Sequence, residues 1–281
     1  MKTEVFEGLI IAKSPIVHSG DEKTGMEVLL KRIKFKTPRG IIEIPCISGN
    51  SVRGRMRRLL AKHLLDSVGY QPKSPMLFHS LFSGGVLEEV EADEVGKIDL
   101  NIRKEIRSLI PFLSLMGTAY GNQVLQGKLN VGIALPICRE LTEAGYIPNK
   151  FVTQKPPSIF ELLDFDFATR RDEREAPQKE ESKVTVQMLY RFEVFIPGTS
   201  FYHNFKLLDA TELEKGAFFQ GLRLWLADPN LGGRRASGYG DLELKYSLPE
   251  DFNALADAYV KFLQESRSKI VSLLSRMDEG K

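Results

Sequence analysis

Two hydrophobic periodicities alternate along this chain, and their order restricts the fold more than any other feature of the sequence. Residues 5–14 follow the alternating pattern of a β-strand, whereas from Ser51 the apolar residues recur at the three- and four-residue spacing of an amphipathic helix. Strand patterns return over 127–138 and 184–208, and Thr211 precedes a second helical pattern. A last alternating stretch follows a glycine-rich region. The chain therefore combines strands and helices in a defined order.

Two irregular segments interrupt this order. Residues 71–108 contain prolines, a break at Gly84 and Gly85 and an acidic run, and we interpret them as an insertion that is helical in parts. Residues 149–183 lose nearly all periodicity and hold a dense mixed-charge run, which is typical of a functional or disordered segment. Without these segments the order is β-α-β-β-α-β, so we predict an α+β, ferredoxin-like fold.

Two other segments give specific structural predictions. The apolar residues on both sides of Pro197 and Gly198 predict a two-stranded hairpin that turns at those residues. Residues 250–278 keep a helical period throughout and predict one long amphipathic helix.

Composition excludes several classes of protein. The 281 residues carry 39 Lys+Arg against 37 Asp+Glu, and this net charge of +2 rules out a uniformly basic nucleic-acid coat but not basic residues gathered on one face. The two cysteines, Cys46 and Cys138, lie in apolar surroundings and predict a reduced cytoplasmic compartment rather than a disulfide framework. Acidic residues near the start and the lack of a long apolar run predict neither a secretory signal nor a membrane span.

The stretch ISGNSVRGRMRRLLAK combines a helix start with five basic residues. Ser48, Asn50 and Ser51 are N-cap candidates ahead of this helix. Because the N–H groups of a helix start carry partial positive charge, this end favours phosphate, and Arg53 and Arg57 share a face at i and i+4. We predict a phosphate-binding helix start, and the alternative is a capped surface helix with solvated arginines.

The segment LGGRRASGYG places four glycines in ten residues. Glycines let a backbone approach a ligand closely, Arg234 and Arg235 supply positive charge, and Tyr239 is placed to stack on a base. The segment precedes a strand rather than a helix, so it is neither a Walker loop nor a dinucleotide-binding loop. Its alternative is a flexible turn.

The mid-chain segment adds a third basic group, with Lys150 and Lys155 ahead of Thr169, Arg170 and Arg171. By itself this group is typical of a solvated, partly disordered loop. Together with the basic helix and the glycine-rich loop, it indicates basic loops and helix starts distributed through one domain.

Catalytic and metal-binding patterns are scarce in the sequence. No His/Cys/Asp cluster has zinc spacing, and neither GxSxG nor HExxH occurs, so we predict no metal or cofactor site. His18 and His203 lie in or near loops, where either is a candidate acid or base. Asp21, Glu22 and Glu27 form a loose acidic group after the first strand, and its alternative is ordinary surface charge.

The segment IPCISGNSVRGRMRRLLA resembles the PxIPGSSLKGxLR segment of RAMP-type CRISPR proteins. LSLMGTAYGNQVLQGKLNVGIALPI is similar to the central stretch of the family's backbone subunit, which polymerises along CRISPR RNA in effector complexes. QMLYRFEVFIPGTSFYHNF and LGGRRASGYG resemble that subunit's later strand and its glycine-rich loop. The resemblance covers most of the chain in order, and its last two segments are nearer to type IV or type I subunits than to type III.

The resemblance implies an RRM-like palm, a helical insertion called the fingers and an extended β-hairpin called the thumb, which folds over the guide RNA. The implied segments are the palm at 1–70, 127–147 and 186–249, the fingers at 71–126, the thumb at 148–185 and a C-terminal helix at 250–281. It further implies that the three basic groups bind RNA. The implied RNA-binding residues are Ser48, Gly49, Asn50, Ser51, Arg53, Arg57, Thr169, Arg170, Arg171, Gly233, Arg234, Arg235, Ser237 and Tyr239.

The implied partners are CRISPR RNA, a target DNA or RNA that pairs with the guide, other effector subunits and further copies of this chain arranged head to tail. In type III relatives an aspartate after the first strand cuts target RNA, but here Glu27 stands nearest that place, so we expect no enzymatic activity. Because the sequence has no long apolar run, we also expect no membrane partner. Two alternatives stay open. One is a RAMP endoribonuclease that processes CRISPR RNA with His18 as its base, and the other is a backbone subunit that also cleaves target RNA through Glu27 or Asp21.

Overall fold

Strands and helices follow one another along the chain in the order that the sequence predicts. The computed structural model describes residues 2–24, 27–85, 99–121, 123–152, 154–171 and 187–279. Within these ranges the strands are β1 (Thr3–Ala12), β2 (Ser19–Thr24), β3 (Glu27–Leu30), β4 (Arg32–Thr37), β5 (Gly40–Pro45), β6 (Thr118–Tyr120), β7 (Gln123–Leu125), β8 (Leu129–Val131), β9 (Leu135–Pro136), β10 (Leu163–Arg171), β11 (Gln187–Phe195), β12 (Ser200–Leu208) and β13 (Leu242–Tyr246). The helices are α1 (Gly49–Val68), α2 (Pro75–Phe82), α3 (Leu100–Leu109), α4 (Pro111–Met116), α5 (Arg139–Glu143), α6 (Glu212–Ala227), α7 (Phe252–Glu265) and α8 (Arg267–Asp278).

β1 is the central strand of the main sheet. It pairs antiparallel with β12 on one side and with β13 on the other, and β12 in turn pairs with β8 and β9. The order across the sheet is therefore β13-β1-β12-β8. Because α1 lies between the first two of these strands in the chain and α6 between the last two, this is the predicted ferredoxin-like arrangement.

One face of the main sheet packs against α1 and α6. Phe6 on β1 contacts Phe218 on α6, with ring centroids 5.2 Å apart. On α1 the residues that the helical pattern placed on the apolar face, among them Met56 and Leu60, are fully buried. The Thr211 side chain accepts a hydrogen bond from the N–H of Glu214 and so caps α6, as predicted. No helix in the described ranges is long and apolar enough to cross a bilayer.

The predicted hairpin at Pro197 and Gly198 is wrong. β11 pairs with β10 and β3 in a second sheet, of order β10-β11-β3-β2, whereas β12 belongs to the main sheet. The connection between them is held to other elements, since the N–H of Gly198 donates to Ala12 O (2.7 Å) and that of Ile196 to Leu162 O (3.1 Å). The chain therefore crosses from one sheet to the other at this point.

The insertion and the C-terminal region pack beside α1. The predicted insertion at 71–108 contains α2 and most of α3, so it is helical in parts as predicted, and α4 and the short pair β6–β7 follow it. The single helix predicted for 250–278 is two helices, because the backbone leaves helical geometry at Ser266 (φ −96°, ψ 8°). At the end of α8, Asp278 accepts hydrogen bonds from the Tyr70 hydroxyl (2.6 Å), which follows α1, and from the Ser74 hydroxyl (2.8 Å) in the insertion.

Candidate nucleic-acid interface

Three loops meet at the N-terminus of α1 and enclose a cleft of about 480 Å³, which we call the first cleft. The segment after β1, the entry to α1 and the glycine-rich loop each contribute part of its wall. The lining residues are Val17, His18, Ser19, Ser48, Asn50, Ser51, Arg58, Leu231, Gly232 and Gly233. The structure thus brings two of the three basic features of the sequence to one place, although 180 residues separate them in the chain.

The entry to α1 is organised by Ser48 and His18. The Ser48 hydroxyl accepts a hydrogen bond from the N–H of Ser51 (3.3 Å), which makes Ser48 the N-cap. The Ser48 N–H donates to His18 Nε2 (3.0 Å), so in the neutral ring Nδ1 carries the hydrogen and donates to Ser51 Oγ (3.3 Å). Burial, and to a lesser extent Lys31, lowers the pKa of His18, and the ring is therefore uncharged at neutral pH.

Helix geometry leaves hydrogen-bond donors free at this cap. The N–H groups of the first helical turn have no acceptor within the helix. Those of Gly49 and Asn50 donate to no atom among the described residues. The Ser51 hydroxyl, which accepts from His18, keeps its own hydrogen for a ligand. The cap therefore presents N–H and O–H donors to the first cleft.

Arg58 supplies the cation of this region. Its side chain folds back along α1, where a Cβ on Gly54 would lie 3.2 Å from Arg58 Nη1. Arg58 is exposed, and its guanidinium has no hydrogen bond or ion pair with any described residue. Burial of part of the side chain, followed by repulsion from Arg55, lowers the pKa of Arg58. A cation placed beside other cations and without a counter-ion favours an anionic ligand.

Arg58 also lines a second cleft of about 430 Å³, farther along α1. Its wall is formed by Asn50, Arg53, Gly54, Arg57, Arg58, Phe82 and Ser83. Asn50 and Arg58 border both clefts, so the two form one track along the start of α1. Among the residues described, no carboxylate lines either cleft.

Arg57 does not have the phosphate-binding geometry that the sequence predicted. Its side chain is buried, and it donates to Ser80 O (3.3 Å), Leu81 O (3.5 Å), Met116 O (3.0 Å) and Gly117 O (2.6 Å). It thereby joins the carbonyl ends of α2 and α4 to α1. Burial, with a smaller contribution from Arg53, lowers the pKa of Arg57 to about 10, so the side chain stays charged at neutral pH. Arg57 therefore has a structural role at the wall of the second cleft.

Arg53 is partly paired within the protein, and Gly49 is required by packing. One nitrogen of Arg53 donates to Met116 O, while the side chain still borders the second cleft. Gly49 is required by packing, because a Cβ at this residue would lie 2.4 Å from Val131 O. Gly49 therefore lets α1 start against β8.

The glycine-rich loop is joined to the rest of the protein by backbone hydrogen bonds. The N–H of Gly233 donates to Val17 O (3.0 Å), and that of Leu231 donates to Gly240 O (2.9 Å). Gly232 has φ +91° and lies so close to Val17 that a Cβ would be 2.5 Å from its carbonyl oxygen. These contacts place the loop backbone against the segment after β1 and so form one wall of the first cleft.

The charged residues of the loop have partners within the protein. Arg235 pairs with Asp228, which also pairs with Arg55 (2.7 Å). Ser237, in the same loop, is exposed. The Arg234 guanidinium lies 4.0 Å from the centre of the Phe192 ring on β11, an arrangement that favours a cation–π contact.

Tyr239 joins the loop to the second sheet. Its ring contacts the Phe192 ring edge-on at 5.8 Å, and its hydroxyl donates to Asp166 on β10. This hydrogen bond raises the pKa of Tyr239 and lowers that of Asp166. Tyr239 is half-buried, and its contacts give it a structural role. The sequence predicted base stacking for this residue and not this structural role.

Three members of the third basic group lie on a strand of the second sheet rather than in the irregular loop that the sequence indicated. Thr169, Arg170 and Arg171 form the end of β10, whose backbone is paired with Gln187–Leu189 of β11. The side chains of these three residues lie outside the described part of the structure. The regular pairing shows that this segment is a strand, not an irregular loop.

The acidic candidates lie on two neighbouring strands of the second sheet. Glu27 is on β3, and its carboxylate accepts from Arg191 Nη1 at 2.9 Å. Asp21 and Glu22 are on β2, and their side chains lie outside the described part of the structure. His203, the other candidate acid or base, lies on β12 and is fully buried, and burial lowers its pKa to about 3.

The sequence interpretation missed residues that the structure places in the clefts. Arg58 is foremost, because it borders both clefts and is not among the predicted RNA-binding residues. Val17 and Ser19 carry no chemical pattern of their own and are recruited through the backbone contact of Val17 with the glycine-rich loop. The available signal for Arg58 was its position on the helix, which falls outside the apolar stripe.

The chain thus has a ferredoxin-like fold with a cationic track at the start of α1, and none of the described residues that line this track carries a carboxylate. The family model described as RAMP superfamily matches residues 12–243, and the chain belongs to that superfamily. Among solved structures, a chain of the structure titled "Type IV-B CRISPR Complex" is similar to it, with 24% sequence identity and a TM-score of 0.65 over 88% of this chain and 92% of that chain. A search of curated proteins gives no match.

Proposed function

We propose that this chain is a backbone subunit of a CRISPR effector complex that coats guide RNA, without reading its sequence, in the cytoplasm. The observation that carries the proposal is the track formed by the two clefts at the start of α1. Its groups are backbone N–H donors, hydroxyls and the unpaired Arg58, all of which suit phosphate. Phosphate contacts fix the position of a strand but carry no sequence information.

Membership of the RAMP superfamily and the fold shared with a chain of the Type IV-B CRISPR complex support a role in such an assembly. In the proposed role the bound guide pairs with a target DNA or RNA, and other effector subunits complete the complex. Copies of the chain associate head to tail along the guide, since one repeated heterologous contact produces a filament.

The chain binds RNA without cutting it in this proposal. The acceptor nitrogen of His18 is occupied by the Ser48 N–H, so His18 acts as a structural residue rather than as a base. The Glu27 carboxylate is paired with Arg191, which makes it less available to a metal ion or a water. These two contacts favour the binding role over the endoribonuclease and target-cleavage alternatives.

The first prediction concerns RNA binding by the purified protein. We expect a high ratio of absorbance at 260 to that at 280 nm in a large gel-filtration peak that collapses after ribonuclease. RNAs of unrelated sequence should bind within a few-fold of one another, with affinity that falls as salt rises. Incubation with Mg²⁺ should leave these RNAs at full length on a denaturing gel. A monomer that binds no RNA would refute the coating role, and shortened RNA would refute the non-enzymatic one.

The second prediction concerns the thumb, which we assign to residues 148–185. The ladder between β10 and β11 ends at the pair Arg171–Gln187. Replacing 172–186 by Asn-Gly, which closes two-residue hairpins, therefore preserves the ladder. We expect the variant to fold and to bind RNA, but to lose regular filaments in electron micrographs because the part of the proposed thumb beyond the ladder is gone. Normal filaments from this variant would contradict the assignment of residues 172–185 to the thumb, and lengthening the same connection with Gly and Ser residues provides the control.

A further inference from the structure

The insertion presents two aromatic rings beside the arginine track. Phe78 and Phe82 lie four residues apart on α2 and stack with ring centroids 4.7 Å apart and planes inclined by 24°. Phe78 is 47% exposed, a large fraction for an aromatic side chain next to a folded core. The core therefore does not account for the position of Phe78.

Phe82 belongs to the wall of the second cleft, together with Arg53 and Arg58. Phe78 does not line this cleft but stacks on the Phe82 ring. A cleft lined by both arginine side chains and an aromatic ring matches a nucleotide, whose phosphate is anionic and whose base is a flat aromatic surface. It matches an acidic peptide less well, because a peptide offers no ring for the aromatic wall.

Hydrogen bonds fix both ends of α2, the helix that carries the two rings. At the end of α2, Arg57 donates to the carbonyl oxygens of Ser80 and Leu81, and Thr118 Oγ1 donates to Ser80 O (3.0 Å). At its start, the Ser74 hydroxyl accepts from the N–H of Leu77 (3.2 Å). Because both ends of α2 are fixed, Phe82 is positioned before any ligand binds, which lowers the entropic cost of binding.

We infer that Phe82, supported by Phe78, stacks on a nucleobase of single-stranded RNA whose phosphate is bound by Arg58 in the second cleft. This inference rests on the proposed function, and it assigns the first helix of the insertion to RNA binding. Stacking agrees with binding that is independent of sequence, because every base has an aromatic face.

The third prediction tests the stacking with two ligands, an oligouridylate of about 12 nucleotides and an abasic ribose-phosphate oligomer of the same length. The full chain should bind the oligouridylate about tenfold more tightly than the abasic oligomer. Phe82→Leu should remove most of this difference by weakening only the binding of the oligouridylate. Phe82→Tyr, which keeps the ring, should restore it.

The outcomes separate the inference from the proposed function. A folded Phe82→Leu variant that keeps the full preference for the oligouridylate would overturn the stacking role while the coating role stands. Failure of the unaltered protein to bind either oligomer would overturn both. Should Phe82→Leu not fold, an oligomer containing 5-iodouridine is crosslinked to the unaltered protein by light. A crosslink at Phe82 or Phe78 supports the inference, and crosslinks at other residues alone overturn it.

Discussion

Replacing Arg57 by alanine is expected to lower the free energy of unfolding by about 3–5 kcal/mol. The guanidinium is buried and donates to four carbonyl oxygens, two from α2 and two from the end of α4. Alanine removes all four hydrogen bonds, of which Ser80 O and Met116 O keep a second donor in Thr118 and Arg53, and it creates a cavity between α1, α2 and α4. Urea denaturation followed by the fluorescence of Trp225, which is buried and is the single tryptophan, measures the change.

Arg58→Ala is the matched control, because it removes the same side chain one residue later, where the guanidinium is exposed. Its stability should stay within about 0.5 kcal/mol of the unaltered protein. Arg57→Lys should fall between the two, since an ammonium keeps the charge but not the planar fork that reaches several carbonyls. Equal stabilities of Arg57→Ala and Arg58→Ala would contradict the structural role of Arg57 and return it to the phosphate-binding group.

The difference between these two arginines shows what a sequence pattern conveys about a helix. The buried face of α1 includes Met56 and Leu60 and, beside them, Ala61 and Leu64. Arg57 precedes Ala61 by one turn and so points inward. A pattern that counts only large apolar residues overlooks Ala61 and so gives a weaker indication that Arg57, unlike Arg58, points inward.

The second sheet shows a different limit. The segment LDFDFA in β10 alternates as a strand does, but the charged run that follows it concealed the pattern. The partners of β11 and β12 could not be predicted, because both strands look alike locally and only distant contacts separate them into two sheets. In contrast, the ferredoxin-like order was predictable, since each of its elements is marked by its own periodicity and caps.

The residues of the clefts were predictable in part. The sequence indicated Ser48, Asn50 and Ser51 through the chemistry of a helix start, and the structure places all three at the first cleft. It also indicated the glycine-rich loop, but assigned ligand contacts to residues that in fact hold the loop in place, such as Tyr239. Residue type identifies which groups suit phosphate, whereas tertiary packing decides which of them remain available.

Replacing Arg58 by glutamate is expected to weaken binding of single-stranded RNA roughly 30-fold, corresponding to about 2 kcal/mol, whatever the RNA sequence. The substitution removes the unpaired cation shared by the two clefts and places an anion near the phosphates. The slope of log affinity against log salt should decrease by about 1, because one fewer phosphate is neutralised. Fluorescence anisotropy with two labelled RNAs of unrelated sequence at several salt concentrations measures both quantities.

Lys261→Glu is the control for a general effect of charge, since it changes the net charge equally at a lysine that is 75% exposed on α7 and borders neither cleft. It should alter the affinity less than about threefold, because screening by salt limits the reach of a distant surface charge. Equal losses in the two variants would mean that RNA responds to the overall charge of the protein. A loss confined to Arg58→Glu would instead locate the phosphate at the start of α1. If that loss appears with one RNA sequence and not with the other, the track reads bases, and sequence-independent coating is wrong.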